Sequence, residues 1–82
     1  MPPNQTVMEA VTVSLTQVNQ VQQFVNVVSK APYDVDMVSG RYTINAKSLL
    51  GIYSLDLNRP LRVVMYSDDC EELKKELAEF MV

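Results

Sequence analysis

The serine at position 48 has the clearest chemical context in the sequence. It stands directly before an apolar run formed by Leu49, Leu50, Ile52 and Tyr53. A serine in front of an apolar cluster is typical of a helix N-cap, where its oxygen accepts a hydrogen bond from a free backbone N–H. A phosphate on the same hydroxyl would be stabilised by those N–H groups and the helix dipole. The pattern predicts a short helix after Ser48 and leaves both roles open for the hydroxyl.

Gly51 lies inside this predicted helical turn. Glycine weakens a helix interior, because it has more backbone freedom to lose than any other residue. We therefore expect a close contact at this position that leaves no room for a side chain.

The residue types that carry most enzyme chemistry are absent or scattered. The chain has no histidine, which excludes phosphohistidine chemistry, histidine acid–base catalysis and histidine metal sites. One cysteine and dispersed carboxylates make no zinc or iron ligand set. The sequence shows no paired catalytic carboxylates, no nucleophile with a base and no glycine-rich phosphate loop. We expect no enzyme activity, no metal and no cofactor.

The length and charge of the chain limit the kinds of protein that remain possible. Its 82 residues, 48% of them hydrophobic, predict a single domain over residues 1–82 with a modest core. No apolar run approaches the roughly 20 residues of a membrane span, and the N-terminus has no signal-peptide pattern. With a lone cysteine, these features favour the cytoplasm. A net charge of −3, with scattered basic residues, argues against direct binding of nucleic acid.

The first half of the chain changes its hydrophobic period once. Residues 1–5 contain two prolines and predict a loose lead-in. An alternating segment predicts a strand over about 6–14, and Glu9 breaks its apolar parity, so the first half is expected at an edge or exposed. A helix is then predicted over about 17–30, ended by Pro32. Its apolar stripe consists of Val18, Val21, Val25 and Val28, with Phe24 beside them.

The second half predicts three further strands and a final helix. Alternation predicts strands over 33–37, 41–45 and 61–65, with a tight hairpin at Ser39-Gly40. Asp68, three residues before Glu71, predicts a capping box at the start of the last helix, and further carboxylates suit its first turn. The stripe of this helix is Cys70, Leu73, Leu77 and Phe80. We interpret Cys70 as a small buried hydrophobic residue.

The element order β-α-β-β-α-β-α indicates an α+β fold. We expect a four-stranded antiparallel sheet covered on one face by three helices. The first and fourth strands are distant in sequence and are predicted to pair in the middle of the sheet.

The segment Asn45 to Leu55, NAKSLLGIYSL, resembles the HPr phosphocarrier family of the bacterial sugar phosphotransferase system. Members of that family show Asn-x-Lys-Ser, two apolar residues, Gly, two apolar residues and Ser-Leu. Ser29-Lys30 and the hairpin at Gly40 also fit. The resemblance covers nearly the whole chain, up to the early part of the fourth strand, and implies an HPr-like open-faced β-sandwich.

The chain departs from the family at the phosphate-accepting site. Family members carry Gly-x-His-Ala-Arg-Pro at the start of the first helix, and counting back from Ser48 places Gln17, Asn19 and Gln20 at the His, Arg and Pro. A carboxamide nitrogen is a poor nucleophile because its lone pair is delocalised, and Asn19 offers no positive charge to a phosphoryl group.

The resemblance implies a degenerate phosphocarrier site. Two alternatives stay open: a neutral anion pocket of Thr16, Gln17 and Asn19, or a decayed site with a capping Thr16.

The catabolite-repression HPr-like protein (Crh) also has Gln in place of the histidine. That relative keeps the regulatory serine, is phosphorylated there by a dedicated kinase and then acts as a corepressor for a transcription factor. The resemblance implies phosphorylation of Ser48, with HPr kinase/phosphorylase or a transcriptional regulator as partners. It also implies a protein-docking surface, which we assign to Lys47, Leu49, Leu50, Ile52 and Tyr53. The missing arginine and proline count against corepressor docking.

A plainer interpretation stays open beside this one. Ser48 would be only an N-cap, and the chain an HPr-fold binding subunit of an unrelated complex. The apolar residues after Ser48 would then be core residues with a few scattered exposed ones. Assembly into a homodimer by exchange of the first strand is also open.

Overall fold

The computed structural model describes residues 8–82, which form four strands and three α-helices. The lead-in predicted over 1–5, and the strand residues predicted at 6 and 7, lie outside the described residues. The elements are β1 (Glu9–Val13), α1 (Val18–Ser29), β2 (Val35–Ser39), β3 (Tyr42–Asn45), α2 (Leu49–Tyr53), β4 (Leu61–Met65) and α3 (Glu71–Leu77), followed by a 3₁₀ turn (Ala78–Phe80). No helix in this part of the chain is long and apolar enough to cross a bilayer.

The strands form one antiparallel sheet in the order β1-β4-β2-β3. One row crosses all four strands, because Val63 lies opposite both Val11 and Met37, and Met37 lies opposite Ile44. The predicted pairing of the first and fourth strands is confirmed. Their predicted place in the middle is wrong for β1, which lies at the edge, since β4 also pairs with β2 and these two strands form the centre.

The core lies between one face of the sheet and the three helices. Along β1 and β2 the residues that face the helices alternate with more exposed ones, as the period of two requires. In the central strand β4, Val63, Val64 and Met65 are all buried. Helix α1 contributes three buried residues, and the rings of Phe24 and Phe80 pack nearly perpendicular to each other with centroids 5.9 Å apart. The larger core residues include Val13, Leu15, Val21, Phe24, Val28, Val35, Met37, Ile52, Leu61, Val63, Met65, Leu73, Leu77 and Phe80.

Helix α1 agrees closely with the predicted range but not with the whole predicted stripe. Val21, Phe24 and Val28 are buried, and Val25 is half-buried. Val18, however, is 63% exposed. Because Val18 opens the helix, the buried stripe begins one turn later, at Val21.

The hairpin is confirmed, with its turn one residue later than predicted. Ser39 pairs with Tyr42, so the two turn residues are Gly40 and Arg41. Gly40 has a φ of 59°, and Arg41 does not share this left-handed backbone. A glycine with positive φ at the first turn position is the pattern of a type II′ turn. Strand β2 is correspondingly shifted and begins at Val35.

Helix α3 begins later than the predicted capping box. Its N-cap is Cys70, which has a non-helical backbone and no capping side-chain bond. Asp68 therefore does not cap the helix, and that prediction is wrong. The chain makes a separate turn first, in which the Asp69 N–H donates to the Ser67 hydroxyl at 3.0 Å. The predicted stripe of Cys70, Leu73, Leu77 and Phe80 is buried.

Candidate functional site

Ser48 is the N-cap of α2. Its backbone is extended, and its Oγ accepts a hydrogen bond from the Gly51 N–H at 3.1 Å. The Ser48 carbonyl accepts from the Ile52 N–H at 3.1 Å, which closes the first turn. The residue is half-buried. The predicted cap is thus confirmed, and its oxygen already has one protein donor.

Gly51 lies against the capping serine, as expected. A Cβ at this position would be 3.1 Å from Ser48 Oγ and 3.3 Å from Ile44 Cδ1. Both distances are tighter than ordinary van der Waals contact. A larger residue would therefore disturb the Ser48 cap itself, which gives the glycine a packing reason.

Lys47 has a structural role that the sequence analysis missed. Its ammonium donates to the carbonyls of Ala31 and Tyr33, both at 2.8 Å. These carbonyls lie just beyond the end of α1, so Lys47 connects the approach to α2 with the exit of α1. Lys47 was predicted to line the docking surface, but its charged group is turned to the backbone of its own chain.

The apolar residues assigned to the docking surface divide between surface and core. Leu50 is 81% exposed and Tyr53 is 38% exposed, while Leu49 is half-buried. Ile52 is fully buried and packs with the core, so its assignment to the docking surface is wrong. The reason is the helical period, which turns Ile52 toward the sheet when Leu50 points to solvent. An exposed apolar pair, Leu50 and Tyr53, remains within a few residues of Ser48.

A glutamine side chain caps the start of α1. The resemblance places a degenerate phosphocarrier site at this point of the chain. Gln17 is the N-cap, and Gln20 Oε1 accepts from the N–H groups of Thr16 and Gln17 at 3.0 and 3.1 Å. The Thr16 hydroxyl donates to the same oxygen at 3.4 Å. The alternative of a capping Thr16 is therefore wrong, because Thr16 donates and Gln20 accepts.

The hydrogen bonds to Gln20 also argue against the alternative of an anion pocket at the start of α1. Gln17 and Asn19 are exposed, and neither carries a charge. The donors that an anion would need at Thr16 and Gln17 are engaged by a neutral carbonyl oxygen of the same helix. Gln20, rather than Thr16 or Asn19, is the residue that defines this helix start. The S/T-x-x-E/Q capping rule, extended to Gln17 and Gln20, is the sequence signal that would have found it.

A second cluster missed from the sequence joins β1 to α3. The Cys70 thiol donates to Glu9 Oε2 at 3.0 Å, and the Lys74 ammonium donates to Glu9 Oε1 at 2.6 Å. These two hydrogen bonds, the one from Cys70 first, hold the pKa of the Glu9 carboxyl below its usual value. Burial, followed by the bond to Glu9, raises the pKa of the Cys70 thiol to about 11. The thiol is therefore protonated and buried, and Glu9 breaks the apolar parity of β1 because it faces this pair.

Metal binding gains no support from the arrangement of these groups. Across residues 8–82, no three carboxylate or cysteine side chains converge closely enough to hold a metal ion. The side chains of Lys47, Glu9, Cys70 and Lys74 instead make hydrogen bonds to one another or to the backbone.

Comparison with known proteins gives matches at the level of structure. No protein-family model matches the sequence, and no curated protein does. The structure is similar to a crystal structure of the phosphocarrier protein HPr from Bacillus anthracis str. Ames, with 28% identity and a TM-score of 0.70 over 96% of this chain and 100% of that one. It is also similar to HPr-C-His from Thermoanaerobacter tengcongensis, with 27% identity and a TM-score of 0.69 over 87% of this chain and 88% of the other.

Proposed function

We propose that this chain, which has the fold of the HPr phosphocarrier proteins, is a non-catalytic protein-interaction module regulated at Ser48. Its 82 residues act as one HPr-like domain, without phosphohistidine carrier activity. Its partners are HPr kinase/phosphorylase or a transcriptional regulator. The chain shares its fold with carriers but has no histidine for the carrier chemistry.

The start of α1 supports the loss of carrier activity. Gln17 stands where the resemblance places the histidine, and a carboxamide does not accept a phosphoryl group at neutral pH. The helix N-terminus is capped from within by Gln20. Asn19 adds no positive charge that would attract a phosphoryl donor.

The exposure of Leu50 beside Ser48 is the observation that carries the docking proposal. A leucine that is 81% exposed within α2 is not required by the core. With Tyr53 it places apolar surface close to a hydroxyl that a kinase can modify, and exposed apolar patches mark protein partners. Phosphorylation would add roughly −2 charge at the edge of this patch and so change its affinity for a partner.

A second function is favoured by the bond that Ser48 already makes. Its Oγ accepts from the Gly51 N–H, which is sufficient reason for a serine at this position. In that case the chain is an HPr-fold binding subunit of an unrelated complex, and Ser48 acts only as an N-cap.

The experiment that separates the two is intact-mass measurement after incubation with an HPr kinase and ATP. We expect one added phosphate on the native chain and none on Ser48→Ala. Leu50→Asp serves as a matched variant, because it alters the exposed surface without touching the core. We expect it to slow phosphorylation while Ser48 remains in place. An unmodified native chain would overturn the regulatory proposal and favour the N-cap interpretation.

A further inference from the structure

A groove of about 410 Å³ lies between the end of α1, the loop that follows it and the start of α3. None of its lining residues belongs to α2, so it is separate from the surface at Ser48. We call it the Tyr33 groove. Its apolar lining includes Val27, Ala31, Tyr33 and Leu73, and its acidic lining is Asp69, Glu72 and Glu76.

The carboxylates that line the Tyr33 groove are not held in salt bridges by the described part of the chain. Glu72 and Glu76 are one helical turn apart on α3, so their side chains project from the same side of the helix, with Cβ atoms roughly 6 Å apart. Neither they nor Asp69 form a salt bridge within residues 8–82, where the carboxylates paired with cations are Asp56, Glu9 and Glu71.

Lys30 is the one cationic residue in the lining. Three carboxylates therefore face one ammonium, and the groove favours a positively charged occupant. A metal ion does not fit this arrangement, because no three acidic side chains in the described residues converge on one point. The spacing suits a larger, organic cation with an apolar part.

Tyr33 gives the groove an aromatic wall. It is half-buried and lines this groove and a neighbouring depression that contains Asp34 and Asp36. Partial burial, and then surrounding acidic groups including Asp69 and Glu72, raise the pKa of the Tyr33 phenol. A planar guanidinium stacks on such a ring and binds carboxylates through several donors, which an ammonium cannot do equally well.

We propose that the Tyr33 groove docks an arginine-bearing segment of a partner protein. The guanidinium binds between the Tyr33 ring and the carboxylates of Glu72 and Glu76, and an apolar neighbour of the arginine contacts Val27 and Leu73. This surface shares no lining residue with the one at Ser48 and α2, and it gives the chain a second place for a protein partner.

The test is an NMR titration of the full chain, following backbone amide shifts, with the peptide acetyl-Leu-Arg-Leu-Arg-amide. The matched probe has citrulline in place of both arginines, which keeps the planar shape and removes the charge. We expect the arginine peptide to shift amides of residues 27–34 and 69–76 with a dissociation constant on the order of 1 mM. The citrulline peptide is expected to bind at least roughly tenfold more weakly, since the charge is the main attraction.

Two double variants give the control. Glu72→Gln/Glu76→Gln removes charge from the groove, whereas Asp56→Asn/Glu79→Gln removes the same charge elsewhere on the exposed surface. We expect only the first pair to weaken binding roughly tenfold. All four positions are exposed, so both variants should fold, which their amide spectra would show. Equal shifts with both peptides, shifts confined to α2, equal loss in both variants, or no shifts would each overturn the proposal.

Discussion

At the scale of single residues, Ser48 combines a structural role, the cap of α2, with a proposed regulatory one. Its Oγ accepts from the Gly51 N–H, and the same oxygen would become the ester oxygen of a phosphoserine. Phosphorylation adds acceptor oxygens near that N–H, so the modification need not break the cap. Capping and regulation are therefore compatible at this position, and stability measurements alone do not separate them.

Removal of the Ser48 hydroxyl should weaken the domain measurably. We expect Ser48→Ala to lower the free energy of unfolding by about 1 kcal/mol, because the Gly51 N–H loses its capping acceptor. Urea denaturation followed by circular dichroism would measure it. Ser48→Asp keeps a capping oxygen and should stay close to the native value. Equal stability of the alanine variant and the native chain would contradict the assigned cap.

Glu9 should give the domain a specific pH dependence. Hydrogen bonds from Cys70 and Lys74 lower the pKa of the Glu9 carboxyl in the folded state below its ordinary value of 4.5. A lowered folded-state pKa means that the stabilisation is present above pH 4.5 and is lost as the pH falls through the folded pKa.

Glu9→Gln isolates this effect from that of the other carboxylates. We expect the native chain to be more stable than Glu9→Gln at pH 7, and the difference to shrink as the pH is lowered below 4.5. Thermal or urea unfolding across this pH range would measure it. A difference that stays constant with pH would show that the Glu9 carboxylate is not stabilised by its two donors.

At the scale of elements, the start of α1 depends on one side chain. Gln20 Oε1 accepts from two backbone N–H groups that precede or begin the helix. We expect Gln20→Ala to lower stability by about 1 kcal/mol, as the loss of a cap does. It should also speed hydrogen exchange at the Thr16 and Gln17 amides. Gln23→Ala, an exposed position of the same helix, is the control and should change neither quantity.

Lys47 joins two elements through the backbone carbonyls of Ala31 and Tyr33. In Lys47→Met both carbonyls lose a charged donor while the aliphatic stem is retained. We expect a loss of about 1–3 kcal/mol, typical of hydrogen bonds from charged groups. Lys75→Met, at an exposed lysine of α3, should stay close to the native stability. If the two variants are equally stable, the hydrogen bonds of Lys47 to the Ala31 and Tyr33 carbonyls contribute nothing to the stability of the domain.

At the scale of the whole molecule, α2 is divided between core and surface. Ile52 is fully buried and Leu50 is 81% exposed. We expect Ile52→Ala to lower the free energy of unfolding by about 2–5 kcal/mol, because it leaves a cavity in the core. Leu50→Asp should change the free energy of unfolding by less than about 0.5 kcal/mol. Denaturant unfolding measures both.

Ile52→Val keeps this comparison measurable if the alanine variant is too unstable to study, with an expected cost of about 0.5–1.5 kcal/mol. A large loss of stability in Leu50→Asp would show that Leu50 serves the core and would remove the basis for docking at α2.

The sequence by itself determined the element types, the element order and most of the core. The reason is that hydrophobic period and local caps are local properties. Valines spaced three and four apart indicate α1, Gly40 indicates the hairpin and Ser48 caps α2, and none of these depends on distant contacts. The absence of histidine from these 82 residues is likewise read from the sequence without any structure.

Only the tertiary structure decided how these elements use their polar side chains. Glu9 and Cys70 are 61 positions apart, and Lys47 reaches carbonyls 14 and 16 positions away. Contacts between such distant residues leave no periodic trace in the sequence, because they depend on how strands and helices are placed together. The same holds for β1, whose edge position depends on strand order, and for Ile52, whose burial depends on how α2 packs against the sheet.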